Sequence, residues 1–145
     1  MIFTSYFARL RNIPSNCVPI AICAKIPDFY TGAFYKPLAP SYGCLMDYKK
    51  DQQEQIYINR YIKENLNKFT PEQMLKDLYE LIPEDIKTIF CIEGIPWYEN
   101  PHYHIVLLCY EKPDKFCHRE IVKYWLRSKG YQCDELFEEG VGIIV

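Results

Sequence analysis

The sequence predicts an α/β fold with a mainly parallel sheet flanked by helices, and three observations carry that prediction. Ile105, Val106, Leu107 and Leu108 form an unbroken apolar run, as expected of a strand buried on both faces. Val18 to Cys23 (Val-Pro-Ile-Ala-Ile-Cys) repeats the pattern, with Pro19 near its start, where a missing N–H is tolerated. Between and after these runs lie segments with apolar residues at helical spacing. Strands alternating with helices point to a layered α/β architecture whose ligands gather outside the carboxyl ends of the strands.

Met1 to Ser5 reads as the first strand, with Thr4, Ser5 and Tyr6 at its end. Val18 to Cys23 is the second, followed by Ala24 and Lys25. From Ile26 to Asp51 no period is visible: Phe29, Tyr30, Phe34, Tyr35, Tyr42 and Tyr48 are interleaved with prolines and glycines. So long an irregular stretch is expected to be a lid or binding loop, the plainer alternative being an aromatic cover for the sheet. Ile58, Tyr61, Ile62 and Leu66 give a helical stripe within Gln52 to Lys68. Thr70-Pro71-Glu72-Gln73 opens another helix, with an N-cap, a proline at N1 and a capping-box glutamine, continued by Met74, Leu75, Leu78, Tyr79 and Ile82. Both helices read as packing elements.

Residues 83–103 read as an insertion, in which Thr88 to Ile92 is either an edge strand or part of the elaboration. After the His104 strand, Pro113-Asp114 marks a turn. Asp114 is the expected N-cap of a helix through Ile121, Val122, Trp125 and Leu126, stopped by Gly130. Tyr131 to Phe137, or Val141 to Val145, is expected to close the sheet. The 145 residues read as one domain, 1–145.

Hydrophobic residues make up 49% and charged residues 25%, a globular rather than disordered balance, and the net charge of −2 disfavours duplex nucleic acid as a partner. The start lacks the basic flank and apolar core of a signal peptide, and no apolar stretch approaches the roughly 20 residues of a membrane span. Seven cysteines at irregular spacing are expected to be reduced thiols in a cytoplasmic protein rather than a disulfide framework.

The predicted strand–turn–helix unit places Cys117, His118 and Arg119 in a first helical turn, where unpaired N–H groups and the helix dipole favour an anion. Arg119 is the expected phosphate contact, its alternative being an ion pair with Glu120 or Glu111. If the protein is an enzyme, Cys117 is the nucleophile and His118 its acid–base partner. Otherwise Cys117 packs under the turn and His118 orients the ligand or holds the loop. Glu111 is available to a ribose hydroxyl or to Arg119. Phe116, Lys25, Thr4, Ser5, Tyr6, Tyr30 and Tyr35 complete the expected ligand-binding set, a few of the 13 tyrosines serving to stack a base. The cysteine-phosphatase pattern fails, because the sixth position after Cys109 is Lys115. Neither Cys-x-x-Cys nor His-x-x-x-His spacing occurs around Cys109, Cys117, His118 and His104, so neither metal nor other cofactor is expected.

Four blocks together resemble domain-of-unknown-function family 488, widespread in bacteria and their phages: Thr4-Ser5-Tyr6-Phe7-Ala8, Pro19-Ile20-Ala21-Ile22-Cys23, Pro37-Leu38-Ala39-Pro40, and Cys109-Tyr110-Glu111-Lys112-Pro113 through Phe116-Cys117-His118-Arg119. The resemblance implies a Rossmann-like domain with the Cys-Tyr-Glu…Cys-His-Arg unit as its hallmark, and it implies no particular activity. The expected function is binding of a nucleotide-derived, phosphate-bearing small molecule at the strand ends, in one version by a phage protein sequestering a host immune signalling nucleotide. The alternative is a thiol-dependent hydrolase or glycosyl-bond transferase using Cys117. Expected partners are that small molecule and, as an option, a second copy in a homo-oligomer, with no membrane.

Overall fold

In the computed structural model, which describes residues 1–112 and 114–137, five parallel strands form one sheet in the order β3-β2-β4-β1-β5. They are β1 (Ile2–Tyr6), β2 (Cys17–Ala21), β3 (Ala33–Phe34), β4 (His104–Cys109) and β5 (Cys133–Glu135). The predicted Rossmann-like α/β class holds. The continuous apolar run becomes β4 at the centre, every residue buried, in register with Ile2 to Tyr6 on one side and Cys17 to Ala21 on the other. Both flanking strands and both faces exclude water there, which is why β4 does not alternate apolar and polar residues.

The two faces are covered differently. Ile105 and Leu107 point into a core shared with α1 (Tyr42–Asp51), α2 (Glu54–Glu64), α3 (Pro71–Glu80) and α5 (His118–Ser128). Their neighbours Val106 and Leu108 pack instead with Phe3, Phe7, Tyr30 and Leu136, under a 3-10 turn at Phe7–Asn12 and the chain that leaves β2. A short helix, α4, spans Glu84–Lys87.

Several boundaries differ from the sequence reading, each for a local reason. The 26–51 stretch is not structureless: it holds β3, a 3-10 turn at Lys36–Leu38 and α1, whose N-cap Ser41 accepts from the Cys44 N–H at 3.1 Å. Gly43 and the exposed Tyr42 break the apolar period that would have announced this helix. Thr88 to Ile92 is not an edge strand but a 3-10 turn at Thr88–Phe90 followed by an isolated bridge between Ile92 and Ile95. Helix α5 begins three residues later than expected, with Cys117 rather than Asp114 at the N-cap. Cys133 to Glu135 closes the sheet beside β1, whereas the other candidate, 141–145, lies outside the described residues.

From β2 the chain moves outward to β3, and from β4 it passes through α5 to β5 on the opposite edge. The carboxyl ends of β2 and β4 therefore flank a switch in strand order, the place where open parallel sheets leave a crevice. Among the described residues no helix is long and apolar enough to cross a membrane.

Candidate functional site

A cavity of about 640 Å³ opens at that switch point, within the size range of small-molecule sites. Its floor is the end of β4 and the start of α5, with Cys109, Cys117 and His118 all buried. One wall is Cys23, Ala24 and Lys25, where the chain leaves β2. The opposite wall comes from α1 and α2, which contribute Tyr48, Lys49 and Tyr57. Phe116 joins these rings, its centroid 5.1 Å from both Tyr48 and Tyr57. Lys25, Lys49 and Lys115 are exposed, so three ammonium groups line a cavity whose wall is aromatic.

His118 is held in one orientation. Its Nε2 lies 2.6 Å from the Ile22 carbonyl oxygen, and its ring lies 5.5 Å from that of Tyr61. A carbonyl can only accept, so Nε2 carries the proton and Nδ1 presents its lone pair to Cys117 Sγ at 3.7 Å. Burial, aided by the nearby Arg119 charge, lowers the imidazole pKa to about 4 against the pull of the Ile22 carbonyl, so the ring is neutral at pH 7. Cys109 and Cys117 are joined sulfur to sulfur, with Cα atoms 7.6 Å apart. The other five cysteines are free thiols, which leaves this pair as the exception to the expected reduced set. Burial raises the pKa of the Cys23 thiol, which donates to the Lys25 carbonyl at 3.1 Å.

Of the expected ligand-binding residues, Lys25, Glu111, Phe116, Cys117 and His118 line the cavity. Arg119 does not. It is fully buried on the side of β1 and β5, where Nε donates to Glu135 at 2.8 Å and Nη1 to Cys109 Sγ at 3.0 Å and to the Glu111 carbonyl. Thr4 donates to the same Glu135 oxygen at 2.9 Å, and the Arg119 guanidinium lies 5.5 Å from the centre of the Tyr6 ring. Ser5 is buried beside them. The expected anion contact is thus an internal ion pair, because consecutive residues at the start of a helix point about 100° apart. Tyr30 is buried below the other face of the sheet, its hydroxyl 2.6 Å from the Ala33 carbonyl and 3.1 Å from that of Pro19. Tyr35 donates to Asp77 of α3 at 2.7 Å. Both rings serve packing rather than the cavity.

Sequence reading missed Tyr48, Lys49 and Tyr57, because α1 was not visible and α2 read as packing alone. The legible signal was Pro40-Ser41, a helix-start pair ahead of Tyr48 and Lys49. Comparison with family models, curated proteins and solved structures finds no match to this chain.

Proposed function

We propose that this protein binds a nucleotide-derived, phosphate-bearing small molecule in the cavity over β2 and β4. One observation carries the reading: Lys25, Lys49 and Lys115 surround a cavity walled by Tyr48, Tyr57 and Phe116 at a switch point of a parallel sheet. Ammonium groups suit phosphate oxygens, and the ring cluster offers an apolar wall to a base. The phosphate contact passes from Arg119 to the lysines. A finer version, a cytoplasmic phage protein that sequesters a host immune signalling nucleotide unchanged, rests on the cavity's chemistry and on the occurrence in phages of family 488, which the Cys109–Arg119 block resembles.

A second reading, thiol-dependent hydrolysis or glycosyl transfer through Cys117, draws on the lone pair that His118 aims at its sulfur. It needs the Cys109–Cys117 pair reduced. It also needs an imidazole whose pKa burial lowers to about 4 to take the thiol's proton, an uphill step that only the resulting thiolate–imidazolium attraction offsets. The weak base favours binding over turnover. The test is to incubate the full chain with a panel of adenosine- and ribose-containing signal nucleotides and NAD fragments, then denature it and weigh what is released. One equivalent of intact ligand supports binding; product in excess over protein supports catalysis; a panel with neither ligand retained nor product formed removes both.

A further inference from the structure

Three soft or borderline donors meet at the cavity floor: Cys109 Sγ, Cys117 Sγ and a ring nitrogen of His118 all lie within 4.8 Å of one another, with Nδ1 3.7 Å from Cys117 Sγ. Each has a different origin, the last residue of β4, the N-cap of α5 and its first helical residue, so the fold assembles them without a paired spacing in sequence. The Cα atoms of the two cysteines stand 7.6 Å apart. A disulfide usually spans about 4.4–6.8 Å, so that bond asks the two backbones to draw together, whereas a metal ion between two thiolates does not. His118 already has the arrangement of a metal-binding imidazole: Nε2–H donates to the Ile22 carbonyl, which fixes the tautomer and leaves Nδ1 as the donor atom. Arg119 Nη1 donates to Cys109 Sγ from behind, as an outer partner does to a ligating thiolate.

We propose that the reduced protein binds a zinc ion through Cys109, Cys117 and His118, with its fourth position turned to the cavity. A thiol reductant first opens the sulfur–sulfur pair by exchange, taking up the bond as its own disulfide and leaving two thiols. Zinc then displaces one proton from each to solvent. Two thiolates balance the dication, so the centre carries no net charge, which suits three buried ligand residues. Three protein ligands and one open position is the pattern of catalytic rather than structural zinc, and the lysine-lined cavity beside it would bring an anionic oxygen to that position. The inference needs no nucleotide and stands apart from the ligand reading.

The test uses the full chain, reduced with a phosphine, stripped by a chelator and titrated with Co2+ as a probe of the same geometry. One equivalent should produce thiolate-to-cobalt absorption and tetrahedral ligand-field bands, both abolished by added Zn2+. Cys109→Ser and Cys117→Ser should each weaken Zn2+ binding by more than about 100-fold, beyond the loss that an outer partner produces. His118→Gln should weaken it by at least about tenfold, and Cys91→Ser, an exposed thiol outside the cavity, should leave it unchanged. X-ray absorption of the zinc-loaded wild type needs no variant and should count two sulfurs at about 2.3 Å and one imidazole nitrogen at about 2.0 Å. Absent cobalt bands in the reduced protein, an all-nitrogen-and-oxygen shell, or undiminished binding by the double cysteine variant would overturn the site. Nucleotide binding by chelator-treated protein would keep the ligand reading whatever the metal result.

Discussion

His118 and Arg119 are adjacent in sequence, yet they belong to two regions with opposite characters. On the β2 side of β4, His118 shares a cavity with sulfurs, lysines and rings, and its Nδ1 lone pair faces Cys117 Sγ at 3.7 Å. On the β1 side, Arg119 is sealed against Glu135, Thr4 and Cys109, with Arg119 Nη2, Glu135 Oε2 and Ser5 Oγ left as buried polar atoms without a partner. The open region can exchange contents with solvent; the sealed one holds a charge pair whose removal is felt by the fold. A basic residue at a helix start is therefore no guide to a ligand until its side of the sheet is known.

The sharpest separation is expected from Arg119→Ala. Removing one partner of a buried pair leaves Glu135 uncompensated, at a cost of about 3–5 kcal/mol, read from urea unfolding. Burial already raises the Glu135 pKa despite Arg119, so the orphaned carboxyl will take a proton rather than stay charged. Arg119→Met combined with Glu135→Leu should recover most of that loss. A stable, folded Arg119→Ala that merely loses nucleotide affinity would return this residue to the ligand site.

His118 should contribute to the acid limb of stability in metal-free protein, beside the Met1 amine, whose pKa burial lowers to about 5. Its folded pKa of about 4 lies below an unfolded value of about 6.5, so the unfolded chain binds the extra proton between those values. The imidazole's contribution is full above pH 6.5 and is lost as pH drops toward 4, about 3 kcal/mol for this group alone. Glu135 works in the opposite sense, since its raised pKa favours proton uptake by the folded state. The difference between wild type and His118→Gln across pH 4–7 isolates the imidazole, and parallel curves would mean that it is not buried as described.

On the cavity side, Lys49→Ala with Lys115→Ala should weaken a phosphate-bearing ligand by about tenfold or more in calorimetry, since hydrogen bonds to charged groups contribute about 1.5–3 kcal/mol. Both lysines are exposed, so unfolding free energy should change by no more than about 0.5 kcal/mol. Unchanged affinity would move the anion away from this wall. The smallest effect belongs to Tyr30→Phe, which removes a hydroxyl bonded to the Ala33 carbonyl and should cost about 1 kcal/mol with affinity unaltered. A drop in affinity would bring that ring back to the ligand.

Much of the fold was legible in particular residues. The unbroken run at Ile105 to Leu108 announced a strand buried on both faces, and the Thr70-Pro71 start announced α3, whose Thr70 hydroxyl accepts from the Gln73 N–H at 3.1 Å. Helix α1 was hidden because Gly43 and Tyr42 interrupt its stripe, and with it went half of the cavity wall. Helix α2 showed its stripe but not its second use, since Tyr57 is both core and cavity lining.

By itself, the sequence determined the class of the fold, the central strand, the helix after it and the chemical kinds of group at their junction. These follow from local patterns of two to four residues, which periodicity and capping record directly. Only the tertiary structure decided that β4 lies between β2 and β1, and hence which of two neighbouring side chains faces a cavity and which faces a carboxylate. That choice depends on pairing Cys17 with His104 and Ile2 with Ile105, contacts across about 90 to 100 residues that leave no mark in the local pattern.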